Sequence, residues 1–87
     1  MRHKLKTISP YFEAVVSGDK TFEVRRNDRS FQKGDILELH HWLPTPERFT
    51  GDKTEVEVAY VFSNGDLQPL KEGFVVLGIK PVKVEGS

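Results

Sequence analysis

The chain has 87 residues, 13 Lys/Arg against 13 Asp/Glu, and no cysteine, which reads as one domain and excludes a disulfide framework, a cysteine zinc site and a thiol nucleophile. No apolar run approaches the ~20 residues that cross a bilayer and the first residues lack the apolar core of a signal peptide, so the expectation is a cytoplasmic domain without membrane attachment. The charge is uneven: residues 1–35 hold eight Lys/Arg and five Asp/Glu, a net of +3, and residues 36–87 hold five and eight, a net of −3, so a bulk basic footprint for nucleic acid is absent but a local one is open.

His3–Thr7 reads as a short strand, with Leu5 between Lys4 and Lys6. Ser9 can cap a helix and Pro10 suits its first position. Phe12, Val15 and Val16 then give the apolar stripe of a short amphipathic helix over Pro10–Ser17. Gly18 stops it, because the residue past a helix often needs positive φ. A strand at Thr21–Arg26 follows, and period-2 alternation puts Phe22 and Val24 on one face and Thr21, Glu23 and Arg25 on the other. Asn27–Ser30 and Lys33–Asp35 are turns by composition. Ile36–Trp42 is a strand that ends near Pro44 and Pro46, which cannot donate to a ladder.

Residues 43–53 read as a long loop ending at Gly51. In Thr54–Phe62, Val56, Val58, Tyr60 and Phe62 face one way and Glu55 and Glu57 the other. Ser63-Asn64-Gly65-Asp66 is a turn signal, and Phe74–Ile79 is a continuous apolar run that fits a strand buried on both faces. The expected core is Phe22, Val24, Ile36, Leu39, Val58, Tyr60, Val75 and Leu77. The fold class is mainly β with one early helix. Five or six mostly antiparallel strands closed into a small barrel leave no exposed edge.

The chemistry concentrates between Gly18 and Arg26. Lys20 follows the helix end, where a lysine can simply answer the helix dipole or anchor an anion. Glu23 and Arg25 share a strand face. An exposed ion pair contributes only ~0–1 kcal/mol, so stability gives little reason for it. A carboxylate beside cations instead suits a polar cleft for a nucleobase or phosphate: Glu23 accepts from an amide edge of a base, Arg25 donates to a phosphate or carbonyl. Lys6 adds a cation, and of the aromatics Tyr11, Trp42 and Phe49, Trp42, beside the proline loop, is the better stacking candidate, with packing favoured for Tyr11. Arg26 should point opposite to Arg25, paired with Asp28 or Asp35 or turned outward by a bulge. Arg2 and Lys4 read as solvated charges, and Arg29 as a surface residue. His3, His40 and His41 have no metal-site spacing. No metal and no cofactor are expected, and one of His40 and His41 is expected at the cleft rim.

Gly18, Lys20, Glu23 and Arg25 spell G-x-K-x-x-E-x-R, which resembles the signature of ASCH domains, relatives of the PUA RNA-binding fold. His3–Thr7, Tyr11–Val15, Lys20–Arg29 and Phe31–Leu39 are similar to small ASCH-related proteins of bacteria and their phages, a family of unassigned function. The resemblance implies a PUA/ASCH-like barrel of five to six strands with one N-terminal helix, placed over residues 1–83, while the composition of 84–87 reads as a flexible tail. It also implies RNA or a nucleotide as partner, bound by Lys20, Glu23 and Arg25 of the motif, to which the residue reading adds Lys6 and Trp42.

Two alternatives stand beside this reading. Some ASCH proteins are small amidohydrolases that deacylate modified cytidine with a lysine, a threonine and a glutamate. Here the lysine matches Lys20, but Glu23 occupies the threonine position three residues on, and Thr21 lies only one residue after the lysine. Glu55, Glu57 and Glu72 are the candidates for the second glutamate. A carboxylate at Glu23 also favours a charged Lys20, which opposes a base role. The other alternative is a protein-interaction accessory module, for which no specific motif speaks.

Overall fold

The computed structural model describes residues 1–64 and 69–82. Its elements are β1 (Arg2–Thr7), α1 (Tyr11–Ser17), β2 (Phe22–Arg26), β3 (Ile36–Pro44), β4 (Glu47–Phe62) and β5 (Phe74–Pro81). They form a small, mainly β domain, one five-stranded sheet in the order β1-β3-β4-β5-β2 curled into a half-barrel, with one short helix. β1 runs parallel to β3, and every other pair is antiparallel. The sheet therefore begins and ends with β1 and β2, the strands on either side of the helix. The helix comes between them in sequence, so both sheet margins carry residues from the first third of the chain. Gly65 and Asp66 of the expected turn, and the expected tail at 84–87, lie outside the described residues.

The concave side holds the core. Leu37, Leu39, Val58, Val75 and Leu77 are fully enclosed, with Leu5, Val15, Phe31, Val56 and Ile79 packed around them. At roughly 1.5–3 kcal/mol for each large apolar side chain removed from water, this cluster dominates the favourable side of folding.

Gly18 ends the helix as expected, at φ 85°, with its amide bonded to the Val15 carbonyl. The helix buries Phe12 and Val15 but leaves Val16 58% exposed. Seven residues make only two turns, and a stripe that narrow covers one ridge. Ser9 makes no cap. Its hydroxyl bonds Glu13 at 2.7 Å and the His41 ring at 2.8 Å, and Phe12 stacks on the same ring with 4.7 Å between centroids.

Four expectations are corrected. Phe22 and Val24 are 46% and 51% exposed, while Glu23 is 3% exposed. β2 pairs Glu23 with Leu77 and Arg25 with Val75, and directly opposed residues share a face, so the charged residues point inward. In β4, Val58 pairs with Ile79 and Tyr60 with Gly78, so Ala59 is an extra residue. That bulge inverts the alternation: Tyr60 and Phe62 face out, and Val61 packs against the core instead. The loop expected at 43–53 is a hairpin, with Pro44 opposite Glu47 and Trp42 opposite Phe49. Three β4 residues lie between Phe49 and Lys53 where one lies between His40 and Trp42, and Gly51, at φ 94°, supplies the left-handed residue in that irregularity. Finally, β5 alternates rather than being buried throughout: Val75, Leu77 and Ile79 are buried, and the residues between them half-buried.

Candidate functional site

The two margins of the half-barrel face each other across a seam. No backbone ladder closes it; two arginines span it. Arg25 on β2 donates from Nη2 to the Lys6 carbonyl and to the Thr7 hydroxyl of β1, both at 3.1 Å. Arg29, in the loop after β2, donates to the Lys4 carbonyl at 2.8 Å.

Local structure brings Lys20 to the same place. After Gly18 the chain turns back, and the Lys20 amide bonds the Ala14 carbonyl at 3.0 Å. The Thr21 carbonyl then accepts from the Ile79 amide, which starts the β2–β5 pairing. The Lys20 ammonium lands 2.7 Å from Glu23 Oε1 and 2.6 Å from the Phe22 carbonyl. The other oxygen, Oε2, accepts from Arg25 Nε at 3.0 Å and lies 2.9 Å from Nη2. Glu23 is thus an enclosed carboxylate held on both oxygens by cations, and the three groups together carry one net positive charge. A buried charge without such partners would cost several kcal/mol, about 3–5 when one partner of a pair is removed.

Arg25 divides the seam into two recesses. One, of about 720 Å³, is lined by Lys20, Glu23, Arg25, Lys6 and Thr7, with Ile8, Tyr11, Phe22 and Val24 as apolar walls. The other, of about 660 Å³, is lined by Lys4, Lys6, Arg25, Arg26, Asp28 and Arg29 with Phe31, His40 and Phe49. Both fall within the volumes typical of small-molecule sites. Lys6 and Arg25 belong to both.

A family profile described as "Domain of unknown function (DUF3850)" matches residues 2–79. The chain belongs to this family. It is 37% identical over 75 residues to an "Uncharacterized 12.9 kDa protein in GpA 3'region" of Escherichia phage P2. That match covers 86% of the chain and 64% of the phage protein, so the chain spans less than two thirds of this relative. The crystal structure of a hypothetical protein, PH0355, shares the fold with a TM-score of 0.61 at 20% identity, over 94% of this chain and 100% of that one.

Of the residues singled out in the sequence, Lys20, Glu23, Arg25 and Lys6 line one recess. Trp42 lines neither recess. Its ring carries the Lys6 ammonium 4.1 Å from the centroid, and Phe49 meets it edge-on at 4.7 Å. His40 lines the second recess. Arg26 is exposed and lies over the Phe74 ring at 5.2 Å, paired with neither Asp28 nor Asp35. Glu55 pairs with Arg2 and Glu57 with Lys80. Among the described residues no helix is long and apolar enough to cross a membrane, and no group of three or more His, Cys, Asp or Glu side chains could hold a metal.

Sequence reasoning missed Thr7 and Arg29 as seam residues, ranked Phe49 behind Trp42, and missed the buried pair His3–Asp35. His3 Nε2 lies 2.8 Å from Asp35 Oδ2, which also accepts from the Gln32 amide at 3.0 Å. Burial pushes the Asp35 carboxyl up, but the bonds from His3, the Gln32 amide and the Met1 amino group outweigh it and hold it below the usual range. Glu38 is held below the usual range chiefly by its hydrogen bond from Arg2, against the opposing effect of burial. A 32-residue separation between His3 and Asp35 leaves no periodic trace. The parallel β1–β3 register, which no local pattern announces, brings them together.

Proposed function

We propose that the seam binds single-stranded RNA or a free nucleotide, with Lys20, Glu23 and Arg25 as the recognition group. The observation that carries this is the buried Glu23 carboxylate, clamped by two cations that are themselves only partly enclosed, at 16% and 23% side-chain exposure. A carboxylate accepts from the amino or imino edge of a base, and the flanking cations donate to a phosphate or carbonyl oxygen. Tyr11, Phe22 and Ile8 supply apolar surface against which a base can lie. The ASCH-like G-x-K-x-x-E-x-R spacing supports the same reading.

Titration of a labelled single-stranded RNA at two salt concentrations tests it. Binding should weaken with salt, each neutralised phosphate adding about 0.7 to the slope of log affinity against log salt. Lys20→Ala combined with Arg25→Ala should abolish it. Equal binding by that double variant overturns the reading.

Hydrolysis of an acylated cytidine is the second reading, and one observation favours it. Thr7 places a hydroxyl in the same recess as Lys20 and Glu23, although not at the position that the amidohydrolase resemblance implies. An amide needs a nucleophile or activated water and a proton for the leaving amine. The 2.7 Å pairing of Lys20 with Glu23 occupies the lysine with a carboxylate, so binding without turnover is the expected result. Incubation with N4-acetylcytidine decides between them: deacetylation lost in Lys20→Ala would make the protein an enzyme.

A further inference from the structure

The second recess has no role in the proposal above, yet it shares Lys6 and Arg25 with the first. Its chemistry differs. Lys4, Lys6, Arg25, Arg26 and Arg29 meet there with one carboxylate, Asp28, and Arg29 stands only loosely by that carboxylate at 3.9 Å. It therefore favours an anion more strongly than the first recess, which holds Glu23 and Asp19.

An aromatic surface lies beside those cations. Phe49 is 51% exposed although its position is fixed: Trp42 meets it at 4.7 Å with 67° between planes, and His40 at 6.1 Å with 75°. Edge-to-face neighbours hold a ring while leaving a face uncovered. The Lys6 ammonium stands 5.9 Å from the Phe49 centroid and 4.1 Å from that of Trp42. A fixed, open aromatic ring beside a cation cluster is the pairing by which proteins hold a stacked base and its phosphate.

We infer that this second recess takes a neighbouring nucleotide: its base stacks on Phe49, its phosphate meets Lys6 and Arg25 at the divide, and the ligand is a single strand at least two nucleotides long. The inference rests on the reading of the first recess as the site of one nucleotide. Lys6 and Arg25, common to both recesses, stand where the linking phosphodiester has to pass.

Isothermal titration at low salt with uridine monophosphate and with the 5′-phosphorylated uridine dinucleotide tests it, on wild type and on Phe49→Ala. The dinucleotide should bind about five- to a hundredfold more tightly than the mononucleotide, the range expected of one added stacking contact. Phe49→Ala should remove that gain and leave the mononucleotide affinity unchanged, which also shows that the variant is folded. Mononucleotide binding with no gain, or a gain that survives Phe49→Ala, overturns the inference and leaves the first recess standing. A gain matched by tripolyphosphate also overturns it, because charge alone then accounts for binding. Absence of binding by both nucleotides overturns the reading of the first recess and this inference with it.

Discussion

Glu23 and Asp35 are both carboxylates removed from water, at 3% and 5% exposure, and they are held in opposite ways. Asp35 is gripped chiefly by fixed groups, with the exposed Met1 amino group as a third partner 3.1 Å from Oδ1. Its partners include a backbone amide of its own turn and His3, itself 5% exposed and edge-on to Phe31 at 4.9 Å. The same residue ties strands together through its backbone, its carbonyl accepting from the Val58 amide at 2.8 Å. Glu23 is gripped by long side chains that reach in from a recess. Lysine and arginine can swing toward water or a ligand; a backbone amide and a buried imidazole cannot. Enclosure alone therefore does not separate these two carboxylates, whereas the freedom of their partners does.

The sharpest way to break this contrast is to remove each carboxylate. Asp35→Ala should destabilise by about 3–5 kcal/mol, because the buried His3 ring loses its carboxylate partner and the Gln32 amide loses its acceptor. Chemical denaturation measures it; a loss below about 1 kcal/mol would mean that water reaches the site. Glu23→Gln should lose only about 1–2 kcal/mol, since Lys20 can rotate out and Arg25 keeps Thr7 and the Lys6 carbonyl. If the proposed function holds, RNA binding should be lost in this variant while the fold persists. Equal stability losses in the two variants would erase the distinction.

A finer test uses acid. The Asp35 carboxyl lies below its ordinary value in the fold, so its contribution is complete above the unfolded value. That contribution declines as pH falls from there through the lower folded value, where the unfolded chain takes up a proton that the folded chain resists. Stability should therefore drop below about pH 4. Asp35→Asn, weaker at neutral pH, should show a shallower acid limb by thermal melting from pH 6 to pH 3. Parallel limbs would assign the acid sensitivity to other carboxylates, Glu38 first.

Much of this organisation is legible in the residues. Gly18 announces the helix stop, the strand segments stand out by alternation, and the motif spacing puts Lys20, Glu23 and Arg25 near one another. What alternation cannot say is which face is the inside. In β2 the apolar Phe22 and Val24 look like core, yet the inner side of that margin strand borders the seam, where charged groups find opposite charges and recess rather than close-packed carbon. Parity itself fails at Ala59, because one inserted residue turns Tyr60 outward with no change in composition. Arg29 and Phe49 join the seam through a loop and a hairpin whose positions depend on contacts distant in sequence. Trp42 was the more conspicuous aromatic by size, but the bulge between His40 and Trp42 leaves Phe49 to line the recess.

The arginines across the seam have one more consequence. A strand at the end of a sheet presents backbone carbonyls and amides that template pairing with any extended chain nearby, the usual start of aggregation. On β1 the carbonyls of Lys4 and Lys6 are already engaged by Arg29 and Arg25. A second polypeptide attempting to add a strand there would have to expel two cations and leave their charges uncompensated beside Lys4 and Lys6. The same guanidinium groups, Arg25 at both recesses and Arg29 at the second, thus act as guards of the sheet, and replacing both at once should make the protein less soluble.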